Sequence, residues 1–261
     1  MIEIDTDLIK EIVGKENRID NRAFDKYREI VIEKNFISSA EGSAHVRIGS
    51  TEVVAGVKFS IGKPFPDTPD EGVLMVGAEL VPLASPEFEP GPPGEQAIEL
   101  ARVVDRAIRE SKCIDFKKFA IDPEKVWMIH VDIDVLDDDG NLIDAACLAS
   151  VAALSSAQIP ALDEDGAIDT EKKTGPLPMS GIPISTTFAK INNRIMVDPN
   201  IAEYKAIDAR LTVGTINTKE GVRLCSMQKG GTMGLTIEEV EQILEMAIEK
   251  GEELRKLVKE S

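Results

Sequence analysis

Arg102, Arg106 and Arg109 stand at i, i+4 and i+7 of the segment EQAIELARVVDRAIRESK, so a helix there gathers them on one face. Guanidinium forks grip phosphate oxygens two at a time, which makes this stripe a candidate contact for a nucleic-acid backbone. Lys112, Lys117 and Lys118 extend the positive region. A second reading is a solvated face on which Glu99 pairs with Arg102 and Glu110 with Arg106.

Another constellation is acidic. His130, Asp132 and Asp134 alternate along KVWMIHVDIDVL, and Asp137, Asp138 and Asp139 follow. Clustered oxygens suit a hard divalent cation, so Asp132 and Asp134 are candidate ligands for metal-dependent nuclease chemistry. A calcium-loop spacing fails, because with Gly140 in sixth place the first place falls to Val135. Residues 137–141 therefore read as a solvated turn, and Asp132 and Asp134 as an outward strand face. QKGGTMGLT lacks the order of a phosphate-cradling loop, and no G-x-G-x-x-G follows a strand. With His45 and His130 the only histidines and no serine-centred elbow, a nucleophilic triad finds no support.

These side chains need elements to carry them. Residues 5–15 place Leu8, Ile9, Ile12 and Val13 on one helical face, with Asp5 or Thr6 as cap. Residues 28–61 change to β-branched runs broken at Glu41-Gly42 and Gly49-Ser50, which predicts three antiparallel strands. VLMVGAELVPL follows a proline-rich loop, and PEFEPGPPG introduces the arginine helix, whose expected apolar stripe is Ile98, Ala101, Val104 and Ile108. A strand and the small-residue helix DAACLASVAALSSAQI complete this half. The turn-rich segment around residues 160–184 reads as a connection with one short edge strand. STTFAKI, RIMVD, AIDARLTVGTI and GVRLCSMQ form another meander, and a long helix closes the chain behind the capping-box pair Thr236 and Glu239. Strands followed by a helix thus occur twice. That predicts an α+β fold of two similar halves, residues 20–159 and 185–261, packed as one unit behind an N-terminal helix in residues 1–19.

Net charge is −17, from 30 basic and 47 acidic residues, which argues against broad nucleic-acid binding by the isolated chain. Any such contact must be local. Aromatic residues make up 4% of the chain, too few for a base-stacking platform. Cys113, Cys147 and Cys225 are odd in number and lack C-x-x-C spacing, so they read as reduced intracellular thiols rather than a disulfide framework or zinc site. The start lacks a basic leader ahead of an apolar run, and no apolar stretch has membrane-spanning length, so a soluble, cytoplasmic protein is expected.

IELARVVDRAIRES resembles the E-I-Q-R-L-I-G-R-x-L-R helix of the RNase PH family. The likeness continues through WMIHVDIDVLDDDGNLIDAACLASVAAL and IMVDPNIAEYKAIDARLTVGTI, covering roughly residues 20 to 250. FEPGPPGEQAIELARVVDRAIRESK is especially similar to the non-catalytic RNase PH-type ring subunits of the archaeal exosome. The resemblance implies an RNase PH-like fold and a hetero-hexameric ring, a trimer of dimers with a catalytic sister chain, under RNA-binding cap subunits. It also implies phosphate-dependent 3′-to-5′ RNA degradation and the reverse polymerisation from nucleoside diphosphates.

Departures from the active pattern decide this chain's expected share. Active members carry a G-G-T-R-T turn whose threonine and arginine hold inorganic phosphate; the matching run here is Gly140, Asn141, Leu142, Ile143, Asp144. Of two carboxylates six apart in the active pattern, the matching positions are Ala202 and Asp208; moving the register by one recruits Glu203 and loses Asp208. Phosphorolysis without an anion clamp and an acid should not turn over. The expectation is a chain with no catalytic residue, cofactor or metal, contributing Arg102 and Arg106, and more weakly Arg109, to RNA. The alternative is the independent metal-dependent nuclease built on Asp132 and Asp134.

Overall fold

The computed structural model describes residues 5–163 and 165–261. β-Branched alternation in the first half builds β1 (Ile30–Lys34), β2 (Gly42–Ile48) and β3 (Thr51–Gly62), which pair antiparallel in sequence. β4 (Val73–Leu80) and β6 (Lys125–Asp137) complete a sheet of order β1-β2-β3-β6-β4, with β5 (Ala120–Asp122) paired to the start of β6. β4 and β6 run parallel, and parallel neighbours need a crossover, which the helix α2 (Glu95–Ser111) supplies. On β6, Ile129, Val131, Ile133 and Val135 are buried, while Asp132 is exposed and His130 and Asp134 are half-buried.

The second sheet, of order β10-β9-β11-β12, is antiparallel throughout: β9 (Ile184–Ile191), β10 (Arg194–Val197), β11 (Ala209–Thr218) and β12 (Gly221–Gly231), the last an edge strand. α4 (Ile201–Lys205) lies between β10 and β11. The 24-residue α5 (Ile237–Glu260) packs on this sheet, and its capping box is formed in both directions between Thr236 and Glu239. The connection between the halves holds two strands rather than the one expected. β7 (Gln158–Leu162) and β8 (Ile168–Pro176) satisfy their backbone groups by pairing with each other.

α3 (Leu142–Ser156) joins the halves. Its sequence is rich in alanine and apolar nearly all round, and residues 142–154 are all buried, as a helix without a polar face must be. It lies against β2 and β3 on one side and β9 on the other. One core consequently runs from Val46, Val57 and Val131 of the first sheet through α3 to Ile184, Ile216 and Leu254 of the second half.

α1 (Thr6–Gly14) is capped by Asp5, whose carboxylate accepts from the amides of Asp7 and Leu8. Its buried residues Ile9 and Val13 pack on Ala189, Ile191, Met196 and Ala206, so α1 is part of the second half's core. Cys113 and Cys147 are buried, Cys225 is half-buried, and all three are free thiols.

Candidate nucleic-acid interface

α2 forms because good helix formers dominate IELARVVDRAIRE, Gly94 opens it, and Lys112 ends it in a left-handed conformation, φ 55°. Its inward face is Ala97, Leu100, Ala101, Val104, Ala107 and Ile108. The expected stripe placed Ile98 there, but Ile98 is 49% exposed and belongs to the outer face with Arg102 and Arg106. Proximity to the second sheet shifts the buried arc by one residue, since α2 packs on β4, α3 and β12 together.

The three arginines differ in what holds them. Arg109 is tied down: its guanidinium pairs with Asp105 at 2.7 Å and donates to the Leu74 carbonyl at 2.9 Å. Its proton affinity is raised, chiefly by the hydrogen bond to Asp105. Arg106 makes only a loose, exposed contact with Glu110 at 3.4 Å. Arg102 has no ion pair among the described residues, because Glu99, its expected helical partner, is taken by Arg210 at 2.5 Å. Lys117 and Lys118 face Asp70 and Asp115 at 4.0 and 3.8 Å, both at the surface.

The turn before α3 departs from the solvated turn expected. Gly140 and Asn141 are buried, with φ of 83° and 58°. A Cβ on Gly140 would come within 2.6 Å of the Pro199 carbonyl oxygen, so only glycine fits. Thr51 Oγ1 and Arg28 both donate to the Gly140 carbonyl, and Arg28 also holds Asp139. Asn141 Nδ2 donates to Asp144 at 3.1 Å and to Asp198 at 2.9 Å. A buried turn must satisfy its polar groups inside the protein: Thr51 and Arg28 serve the Gly140 carbonyl, Asp138 accepts from the Gly140 amide, and Asp144 and Asp198 serve the Asn141 side chain.

Leu142 and Ile143, at the threonine and arginine positions of the active pattern, form the first turn of α3 and are 8% and 6% exposed. They line a cavity of about 290 Å³ with Leu100, Asp138, Tyr204 and Arg210. Its two cations are already engaged, Lys205 by Glu87 and Arg210 by Glu99. Asp138 is held above the ordinary carboxylate range by burial first and by Asp139, Glu87 and Asp137 nearby. The cavity thus presents apolar walls and carboxylates, with both of its cations paired.

Carboxylates of the acidic segment are also committed. Glu203 is fully buried, accepting Arg18 Nε at 2.9 Å and Nη2 at 2.5 Å, and it closes a capping box with Asn200. Asp208 faces α1, where Lys10 Nζ donates to it at 2.7 Å. Burial opposes its ionisation, but hydrogen bonds from Lys10 and the Asn192 amide hold its carboxyl below the ordinary value. Ala202 packs against the α1 cluster. None of the three residues matched to the carboxylate pair presents a free acid.

Asp132 and Asp134 lie on the outer face of the first sheet. Asp132 is flanked across the ladder by Gly56 and Gly77, and Asp134 by Val54 and Glu79. Burial, then Glu79 and Asp132, raise the Asp134 carboxyl above its ordinary value, the mark of like charges side by side. Among the described residues no three His, Cys, Asp or Glu side chains converge in a metal-holding group.

Two residues escaped the sequence reading: Arg210, which captures Glu99, and Arg18, which neutralises Glu203. Both pair across more than a hundred residues of chain, and no local spacing announces such a partner.

Two halves of strand-and-helix sharing a central buried helix, with an arginine-bearing crossover helix beside the tight Gly140-Asn141 turn, define the class as an RNase PH-type α+β protein. Models of the 3′ exoribonuclease family match residues 26–160 with its first domain and 181–250 with its second. The chain belongs to the RNase PH family. It is 48% identical to the exosome complex component Rrp42 of Thermococcus kodakarensis, an alignment covering 99% of this chain and 95% of that protein. Identity to Rrp42 of Pyrococcus abyssi is also 48%, over 98% of this chain and 93% of the relative. Among solved structures it is similar to a chain of the Archaeoglobus fulgidus exosome with RNA bound to the active site, with TM-score 0.88, 46% identity and 96% of each chain covered. Among the described residues no helix is long and apolar enough to cross a membrane.

Proposed function

We propose that this chain is a non-catalytic subunit of an archaeal exosome ring, shaping the active site of a catalytic RNase PH-type sister and lending it RNA-gripping arginines. The assembly would be a hetero-hexameric trimer of dimers in the cytoplasm, carrying RNA-binding cap subunits and degrading RNA from its 3′ end with phosphate as nucleophile. The observation that carries the proposal is the turn at 140–144. Where an attacking phosphate needs donors, Leu142 and Ile143 stand buried, and Lys205 and Arg210 are neutralised by carboxylates. Without a held anion neither proximity nor charge stabilisation operates, and loss of such a site removes nearly all turnover.

Arg102 and Arg106 remain available for RNA phosphates because the fold leaves them exposed and nearly unpaired. Arg109 we assign to anchoring α2 through Asp105 and the Leu74 carbonyl, so its part in RNA contact is indirect. A chain of net charge −17 repels RNA at long range, so these arginines act when a partner surface presents the strand to them.

The purified chain, given single-stranded RNA and phosphate, is expected to release no nucleoside diphosphates, while the ring formed with its sister does. Arg102→Glu with Arg106→Glu is expected to slow RNA processing by the ring roughly tenfold or more and to leave assembly intact. Diphosphate release by this chain alone, surviving removal of any catalytic sister, would overturn the proposal.

A further inference from the structure

The outer face of α2 does not stand alone. Between it and β12 runs a groove of about 520 Å³, lined by Ile98, Arg102 and Arg106 from the first half and by Ser226, Met227 and Gln228 from the second. Its size falls in the range of roughly 300–1,000 Å³ typical of sites for small organic groups. Ile98 and Met227 are 49% and 47% exposed, giving it an open apolar lining. β12 and the turn that follows it bring no negative charge to the groove: residues 221–237 contain Arg223 and Lys229 but none of the 47 acidic residues. Cations, an apolar platform and a free amide together suit a nucleotide, with its phosphate on the guanidinium groups, its base on Ile98 and Met227, and a base edge within reach of Gln228.

Glu95 and Glu99 also line the groove, and Glu99 decides its charge. Three residues before Arg102 on the helix, Glu99 is placed to neutralise it. Arg210 prevents this by taking Glu99 Oε1 on its Nη2 at 2.5 Å. Arg210 is itself fixed: 6% exposed, it donates from Nη1 to the Tyr204 hydroxyl at 2.6 Å and lies against Gly230. A Cβ at Gly230 would come within 2.9 Å of Arg210 Nη2, so the glycine makes room for the guanidinium.

We infer that the α2–β12 groove is a subsite for one nucleotide of single-stranded RNA, and that Arg210 is the positioning residue that keeps it cationic by drawing Glu99 away from Arg102. This rests on the RNA-contacting role proposed for α2. The site is thereby a joint product of both halves, and Gln228 and Met227 are binding residues alongside the arginines.

The test is the affinity of the ring, assembled with its catalytic sister, for a labelled single-stranded oligoribonucleotide in phosphate-free buffer. Gln228→Glu puts a carboxylate in the groove and is expected to weaken binding about fivefold; Arg210→Gln, which releases Glu99 toward Arg102, should do the same. Adding Glu99→Gln to Arg210→Gln should restore affinity, a rescue that a merely structural role for Arg210 does not predict. Unchanged affinity in Gln228→Glu overturns the subsite. Loss of ring assembly in that variant also overturns it, by giving the groove to a protein partner. Failure of Glu99→Gln to rescue removes Arg210 from the inference. If the Arg102→Glu, Arg106→Glu ring binds RNA at full affinity, the α2 reading itself fails, a result distinct from the others.

Discussion

Arginines near the junction of the two halves and arginines on α2 make opposite use of the same side chain. Arg18 is 2% exposed, with Glu203 held bidentately and the carbonyls of Val197 and Asp198 filling its remaining donors. Arg28 and Arg22 converge on Asp198, which also accepts from Asn141 and the Arg28 amide. There the guanidinium stitches the N-terminal segment, the 139–144 turn and the 197–203 segment into one network. On α2, Arg102 has no carboxylate among the described residues and Arg106 only a loose one. A buried cation must be completely paired at home; an exposed one that the fold leaves unpaired is available to a ligand. The same residue type therefore reads as scaffold or as contact according to the carboxylates that tertiary structure assigns it.

The largest expected effect breaks the buried side. Arg18→Met leaves Glu203 uncompensated at 0% exposure and is expected to lower unfolding free energy by about 3–5 kcal/mol in chemical denaturation. Pairing it with Glu203→Leu should recover much of that loss, since removing both charges is far milder than removing one.

The pH dependence comes next. Asp144, fully buried while Tyr27, Thr187 and Asn141 donate to it, has its carboxyl pushed up to about 6 by burial. A carboxyl raised in the folded state favours the protonated form. Its contribution is complete below the ordinary value of 3.8 and is lost as pH climbs through about 6. The magnitude is up to roughly 3 kcal/mol at about 1.4 kcal/mol per pH unit. Asp198, held below its ordinary value despite burial by Arg28 and Arg22, acts in the opposite sense and loses its contribution as pH falls below 3.8. Between pH 4 and 6.5 the first effect rules, so stability of the wild type relative to Asp144→Asn should decline across that window. A difference that stays flat would show that Asp144 does not titrate there.

Partly exposed pairs belong in between. Lys10 and Asp208, with side chains 40% and 21% exposed, dock α1 on the second half, and Lys10→Ala should cost about 0.5–1 kcal/mol. The smallest effect is predicted on α2, where Arg102→Gln with Arg106→Gln should shift unfolding free energy by less than about 0.5 kcal/mol. A large loss of stability there would erase the contrast between the two arginine sets.

Much of this molecule is written locally. Alternation in residues 28–61 marks β1 to β3, the Thr236 and Glu239 pair marks the start of α5, and i, i+4 spacing marks the cationic face of α2. Each depends on a period of two or 3.6 residues, which neighbours in sequence express by themselves. Leu142 and Ile143 are legible from residue type alone, as side chains that offer phosphate no donor. Pairing across distance is not legible. The parallel alignment of β4 with β6, the self-paired β7–β8 hairpin, α1 packed on the second half and the burial of Gly140 and Asn141 all follow from which surfaces meet after folding. So does the state of Arg102: the sequence offers it Glu99 three residues away, and only the arrival of Arg210 from the other half takes that carboxylate first. Periodicity and residue chemistry determine what each element is, whereas charge assignment is a competition among partners in space, decided by whichever geometry the packed core allows.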